Sequence, residues 1–242
     1  MKSVPTASSW LAFAFGLAAL VSPAAAVPVR VLAWDSAVAE MRLALADAKG
    51  SAAIEAMHPS KRTGPYQLTA GEAPLVVQAL DKKNPEGKPY TSEIKLPEGL
   101  KQPLLVILPD EKAPTGVRLH ILDDDPSNFA WGTTRFINAT GRQLVFVYEK
   151  KLVALPASWT PMLASPGGET RNMEVKFFFR DEPAKPFYSS VWEQNSDLRM
   201  LVFLVPGEDP RLGPVAMKMI PEDRRLIKAA QTAAGKTGSA EP

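Results

Sequence analysis

Two histidines and no cysteine limit the metal chemistry this chain can do. A zinc site of the usual nitrogen and sulfur type lacks its ligands. Met57-His58 and Met217-Lys218-Met219 offer an imidazole and thioethers, the soft donors that suit copper(I) in a copper-handling protein. The spacing speaks for packing instead. Met217 and Met219 stand at the alternate positions that Leu119 and Ile121 hold earlier in the chain, which makes them core side chains on one face of a strand. Asp123-Asp124-Asp125 with Asn128 carries oxygen ligands for calcium, but Pro126 and Phe129 interrupt the EF-hand pattern. Acidic residues before Pro and Ser are ordinary turn formers, so this stretch reads as a solvated linker. No metal or cofactor is expected.

Catalytic constellations are equally thin. There is no Gly-x-Ser-x-Gly elbow, and His58 and His120 stand in unrelated contexts, so a Ser-His-Asp arrangement has few ways to form. Gly235-Lys236-Thr237 matches the end of a phosphate-binding loop, but the required first glycine is Ala230, and a helix and tail precede it instead of a strand. Asp35 beside Trp34 and Glu193 beside Trp192 would serve a glycosidase only if one cleft held both carboxylates, and nothing in the spacing brings them together. No catalytic residue is assigned, and the chain reads as non-enzymatic.

Binding is the chemistry that remains. Tryptophan anchors both sugar stacking and protein interfaces, and Trp34, Trp131, Trp159 and Trp192 are the candidates. Trp34 and Trp192, each beside a carboxylate, are the candidate ligand-binding pair. A partner surface is expected at Phe178. In Val175-Lys176-Phe177-Phe178-Phe179-Arg180, period-two alternation sends Val175, Phe177 and Phe179 inward and Lys176, Phe178 and Arg180 outward. An apolar side chain between two cations on a strand face suggests a contact, either with another domain or with a partner. Pro59-Ser-Lys-Arg-Thr-Gly-Pro-Tyr66 reads as an exposed basic loop.

The elements that position these residues begin after an export signal. Lys2, the apolar run Trp10 to Val21 and Ala24-Ala25-Ala26 have the order of a cleaved signal peptide, so the mature chain starts at Val27. Lys2 leaves with the signal, so 27 basic residues face 26 acidic ones, a net charge of +1. That balance gives no electrostatic claim on nucleic acid or an anionic membrane. No later apolar segment is long enough to span a bilayer. Without cysteine the exported chain has neither disulfides nor a lipid-bearing thiol and must hold together by packing alone. A periplasmic or secreted location follows.

The mature chain is written twice. Leu75 to Val106 returns in Val175 to Phe203, with Lys88-Pro89-Tyr90 answered by Lys185-Pro186-Phe187 and the run Leu104–Pro109 by Leu201–Pro206. Arg30 onward matches Arg135 onward, Leu43 onward matches Leu144 onward, and Val117, Leu119 and Ile121 match Val215, Met217 and Met219. Short valine-rich and aromatic runs alternate with turns that take many of the 23 prolines and 15 glycines, the pattern of a sandwich or barrel. The repeat also decides Ser36 to Ala48 against a helix, because Leu43 onward aligns with the strand at Leu144. Pro221-Glu222-Asp223 is expected to open a C-terminal helix, with a disordered tail from Gln231.

The expected architecture is all-β: two tandem immunoglobulin-like β-sandwich domains of about seven strands each, from an internal duplication. The expected boundaries are 1–26 signal peptide, 27–125 first sandwich, 126–224 second sandwich, and 225–242 helix end and disordered tail. The boundary falls in Asp123–Asn128, where a cut is expected to release two folded halves. The repeat starts, Val29-Arg-Val-Leu-Ala33 and Thr134-Arg-Phe-Ile-Asn-Ala-Thr-Gly141, and the glycine-led strand Gly167 to Val175 resemble exported bacterial immunoglobulin-like domains. That resemblance implies a sandwich fold and an envelope location, and brings no catalytic residues. The function expected is a non-catalytic binding or scaffolding module of the bacterial cell envelope, its partner an envelope protein or polymer. A carbohydrate or small-ligand module using tryptophans and a copper-handling periplasmic protein are the alternatives.

Overall fold

A computed structural model describes residues 26–69 and 73–237, and residues 1–25, where the signal peptide is expected, lie outside the described residues. Ala26, expected as the last residue of the signal, opens the first strand. The first half holds β1 (Ala26–Ala33), α1 (Ser36–Ala39), β2 (Leu43–Asp47), β3 (Gly50–Ala53), β4 (Thr63–Thr69), β5 (Val76–Lys83), β6 (Pro89–Glu93), β7 (Pro103–Pro109) and β8 (Val117–Asp123). The second holds β9 (Thr134–Asn138), β10 (Leu144–Tyr148), β11 (Lys151–Leu155), β12 (Met162–Ala164), β13 (Arg171–Phe179), β14 (Tyr188–Gln194), β15 (Leu198–Pro206), β16 (Val215–Asp223) and α2 (Arg224–Thr237).

Each half folds into two four-stranded sheets, in the orders β4-β1-β7-β8 and β3-β2-β5-β6, then β12-β9-β15-β16 and β11-β10-β13-β14. Adding eight to each strand of the first pair gives the second, so the duplication read from the residues is also a duplication of topology. The register agrees position by position. Gln78 stands opposite Ala44, and its counterpart Phe178 stands opposite Val145. The all-β tandem sandwich is thus the fold the chain adopts, with eight strands per copy instead of about seven.

Two details differ from expectation. Ser36–Ala39 does form a helical turn, capped by the Asp35 carboxylate accepting from the Val38 backbone N–H at 2.8 Å, before β2 begins at Leu43. Pro221–Asp223 completes β16 instead of opening the helix, and α2 runs through Gln231 to Thr237, where a disordered tail was expected. Residues 238–242 lie outside the described residues.

Three apolar clusters organise the molecule. One fills the first sandwich, around Val31, Leu45, Val77 and Ile107. Another fills the second, around Phe136, Phe146, Phe177 and Val202. The third lies between the two sandwiches: Leu32, Leu104, Val106, Leu108 and Leu122 from the first meet Phe129, Ile137, Leu201, Phe203 and Ile220 from the second. The four sheets therefore stack, and β1, β7, β9 and β15 are buried on both faces. This is why Leu104–Leu108 and Leu201–Val205 are continuous apolar runs, whereas β13, with one face outward, alternates over Asn172–Lys176; β10, Leu-Val-Phe-Val-Tyr, is apolar on its outward face too.

The interface is built from equivalent positions. Arg30 stands opposite Leu104 and Arg135 opposite Leu201. Leu104 pairs with Leu122 and Leu201 with Ile220, while His120 sits across from Val106 and Lys218 across from Phe203. The same face of each copy meets the other, as in an isologous dimer.

Candidate functional site

The outward residues of β13 behave as the alternation predicts. Val175, Phe177 and Phe179 are buried, Lys176 and Phe178 are half-buried, and Arg180 is exposed. Phe178 lies on the outer face of the sheet β11-β10-β13-β14, the face turned away from the first sandwich, so contact with the other domain does not explain it. Cross-strand pairing places Val145 and Ala154 in its row and Val147 and Leu152 in the row of Lys176. Leu152 is 66 % exposed and Val191, on β14 of the same face, 59 %. Glu174 pairs with Val191, and Arg180 donates to the Gln143 side-chain oxygen at 2.8 Å. In the first sandwich the same face carries Ala44, Ala46, Ser51, Val76, Gln78 and Thr91, and Ser51 donates to Gln78 at 2.9 Å. The exposed large apolar side chains of this face, Leu152 and Val191, belong to the second copy.

Trp34 and Trp192 are not brought together. Trp34 is taken up by the interface, with its ring 5.2 Å from Phe203 and 6.1 Å from Trp159, and the Lys218 ammonium 5.8 Å from its centre. Trp34 is therefore an interdomain packing residue instead of a ligand platform. The neighbouring Asp35 carboxylate is committed to the α1 cap. Trp192 does line a cleft of about 310 Å³, with Gly132, Thr133, Thr134, Glu193, Gln194, Asn195, Leu198, Met200 and Met219. Its ring lies in the aromatic core, 6.4 Å from Phe136 and 5.7 Å from Phe146, and its indole N–H donates to the Tyr188 hydroxyl at 3.1 Å.

The copper donors are also dispersed. Met57 packs in the core of the first sandwich and Met217 against that of the second. His58 accepts from the Ser60 backbone N–H at 3.0 Å. Met57 and Met217 are packing residues, whereas Met219, expected in the core by its alternation, is 36 % exposed.

Sequence reasoning missed a buried ionic cluster where the sandwiches meet. Asp124, expected in a solvated linker, has a side chain only 2 % exposed, and Arg62, expected in an exposed loop, only 3 %. Arg62 donates to Asp124 through Nε at 2.8 Å and Nη2 at 3.1 Å. Arg30 bridges Asp124 of the first copy and Glu222 of the second. Arg199, also buried, donates to Glu222 at 2.7 Å and to the backbone carbonyls of Asp124 and Phe129 at 2.9 and 3.1 Å. Burial alone would raise the Asp124 carboxyl, but the guanidiniums of Arg62, Arg30 and Arg199 outweigh it and hold the group below the usual carboxylate range. Arg135 donates to the carbonyls of Asp123 and Asn128 and stacks 4.3 Å from Phe129. The linker is thus pinned on both sides.

At the side of the same interface, His120 packs 4.8 Å from Trp159, and its buried Nε2 has no hydrogen-bond partner. Burial, and then the charge of Arg118, push the imidazole below the ordinary histidine value.

Among the described residues no group of three or more His, Asp or Glu side chains is placed to hold a metal ion, and no helix is long and apolar enough to cross a membrane. No family model matches the chain, and no curated protein matches it. Among solved structures, a candidate cell adhesion protein from Bacteroides uniformis aligns with 82 % of this chain and 97 % of its own, at 9 % identity and a TM-score of 0.21.

Proposed function

We propose that this chain is a non-catalytic binding or scaffolding module of the bacterial cell envelope, exported to the periplasm or secreted, that engages an envelope protein or polymer through the outer face of its second sandwich. The observation that carries this reading is the uncovered apolar surface of Val145, Val147, Leu152, Phe178 and Val191, set between Lys176 and Arg180 on a face where the first sandwich has Ser51 and Gln78 in place of Leu152 and Phe178. Apolar area left in water on one copy only is a surface that has diverged for contact. The flanking cations favour a partner with acidic groups around an apolar centre. The near-neutral charge leaves nucleic acid out of the reading.

The test is affinity capture by the tagged chain 27–242 from a crosslinked envelope fraction of its native cell, read by mass spectrometry. A partner retained by Gln78→Ser and lost by both Phe178→Ser and Leu152→Ser is the expected result. A set of captured proteins indifferent to all three substitutions, or no capture at all, would refute this assignment of the face.

A further inference from the structure

The cleft beside Trp192 offers three kinds of contact in one place. Trp192 supplies an aromatic surface, Met200, Met219 and Leu198 supply apolar and thioether contacts, Gln194 supplies an acceptor inside, and Glu193, which alternates to the outer side of β14, supplies one at the rim. Gln194 is buried, and its amide nitrogen is committed to the Gly132 carbonyl at 2.9 Å, which leaves its oxygen as the atom it can offer. Exposed Glu193 accepts from the Asn195 amide through Oε1 at 3.0 Å, and its other oxygen can take a further donor. The indole N–H is already held by Tyr188, so Trp192 presents ring surface instead of a donor.

The framework holding these groups is fixed. Gly132 has a backbone φ of +78°, which L side chains rarely adopt, and its N–H donates to the Leu198 carbonyl at 2.6 Å. Asp197, between Asn195 and Leu198, is ion-paired to Arg224 at the start of α2.

An aromatic surface with one acceptor inside the cleft and another at its rim suits a ligand that carries hydroxyl donors on an apolar ring, which is a pyranose. Two thioethers in the same cleft add a soft apolar contact suited to a methyl group. We propose that this cleft binds one N-acetylated hexose unit of a glycan. The ring's C–H face packs on Trp192, its hydroxyls donate to Glu193 and Gln194, and the acetamide methyl lies against Met200 and Met219. The volume, at the low end of ligand pockets, fits one ring with its substituent. This site is separate from the outer face around Phe178 and does not depend on it.

The experiment is saturation-transfer NMR and calorimetric titration of the full mature chain with the trimer of N-acetylglucosamine, with the glucose trimer as control. The expected result is saturable binding with strongest transfer to the acetamide methyl, and at least about tenfold weaker binding of the glucose trimer. Glu193→Gln, an exposed position that leaves the core intact, is expected to weaken binding about tenfold by replacing a charged acceptor with a neutral one. Met219→Ser is expected to remove the preference for the acetylated sugar. No saturation at millimolar saccharide, equal affinity for the two trimers, or binding untouched by both substitutions would overturn the proposal, whether or not Phe178→Ser alters partner capture.

Discussion

The sharpest quantitative test of the structure is Asp124→Asn. Asparagine keeps the shape of the side chain but removes its charge and turns one oxygen into a donor. Three guanidiniums, of Arg30, Arg62 and Arg199, would then face Glu222 as the one remaining carboxylate of the cluster. The side chains of Arg62, Arg199 and Asp124 are each at most 3 % exposed, so water cannot substitute for the lost charge. Removing one partner of a buried ion pair costs about 3–5 kcal/mol. At about 2–4 °C per kcal/mol for a chain of this size, the melting temperature should fall by about 6–20 °C. The cluster carries more cations than carboxylates, and Arg62 Nη1 and Arg30 Nε are buried without partners. Arg62→Met should therefore cost less than Asp124→Asn, because it relieves the excess charge and one unsatisfied donor. Asp181→Asn, at an exposed pair with Arg142, should stay within about 1 kcal/mol. Urea and thermal unfolding of the four proteins give the comparison. The sign with pH is also fixed: a carboxyl held below its unfolded value contributes stability above about pH 3.9 that is lost as pH falls through the folded value. Acid unfolding of Asp124→Asn should lack that contribution. An Asp124→Asn protein within 1 kcal/mol of the parent, or an Arg62→Met protein destabilised as much as Asp124→Asn, would refute the idea that these residues form one coupled buried unit.

Three further outcomes follow from the interface. His120 is pushed below its unfolded value, so the unfolded chain takes up the proton first and stability should fall as pH drops from about 6.5 toward the folded value; His120→Leu should flatten the melting temperature between about pH 7 and 5.5. Phe203→Ala, at a fully buried interface position, should cost about 3–5 kcal/mol, whereas Phe178→Ala on the outer face should cost well under half of that, as measured by urea midpoints. The segment Asp123–Asn128, held through backbone carbonyls by Arg135 and Arg199, should resist limited proteolysis, and an isolated 27–125 chain should self-associate or precipitate because Leu32, Leu104, Val106 and Leu122 lose their cover; a monodisperse monomer in the ultracentrifuge would show that this face needs no cover.

Most of the strand plan was legible because strands announce themselves locally. The alternation in Val175–Phe179 told inward from outward residues correctly, and matching the copies placed β2 at Leu43 despite an alanine-rich stretch that also suits a helix. The short helix Ser36–Ala39 escaped because its signal is one aspartate cap over a single turn. Residues joined by tertiary contact were not legible. Asp123–Asn128 does contain the turns its composition implies, with the Ser127 N–H bonded to the Asp125 carboxylate at 2.8 Å, yet Asp124 in the middle is buried by arginines 62 and 75 positions away. Likewise, nothing local to Trp34 says that Trp159 and Phe203 cover it.

One signal for the interface was present in the residues. A sandwich sheet with one wet face alternates, as β13 does over Asn172–Lys176, but β7 reads Leu-Leu-Val-Ile-Leu and β15 Leu-Val-Phe-Leu-Val without a polar residue. Two copies that each carry such a run have a sheet buried on both faces, and each can cover the other. The equivalences then follow: Leu104 and Leu201, Val106 and Phe203, Leu122 and Ile220, with Asp124 and Glu222 two positions beyond the last pair. A face that covers its own duplicate leaves the remaining surfaces of the two copies free to diverge. The outer sheet shows that divergence, with Leu152 and Phe178 in the second copy where the first has Ser51 and Gln78. Binding in this molecule should therefore track substitutions in the second sandwich, and the first sandwich should act through the stability it confers across the interface.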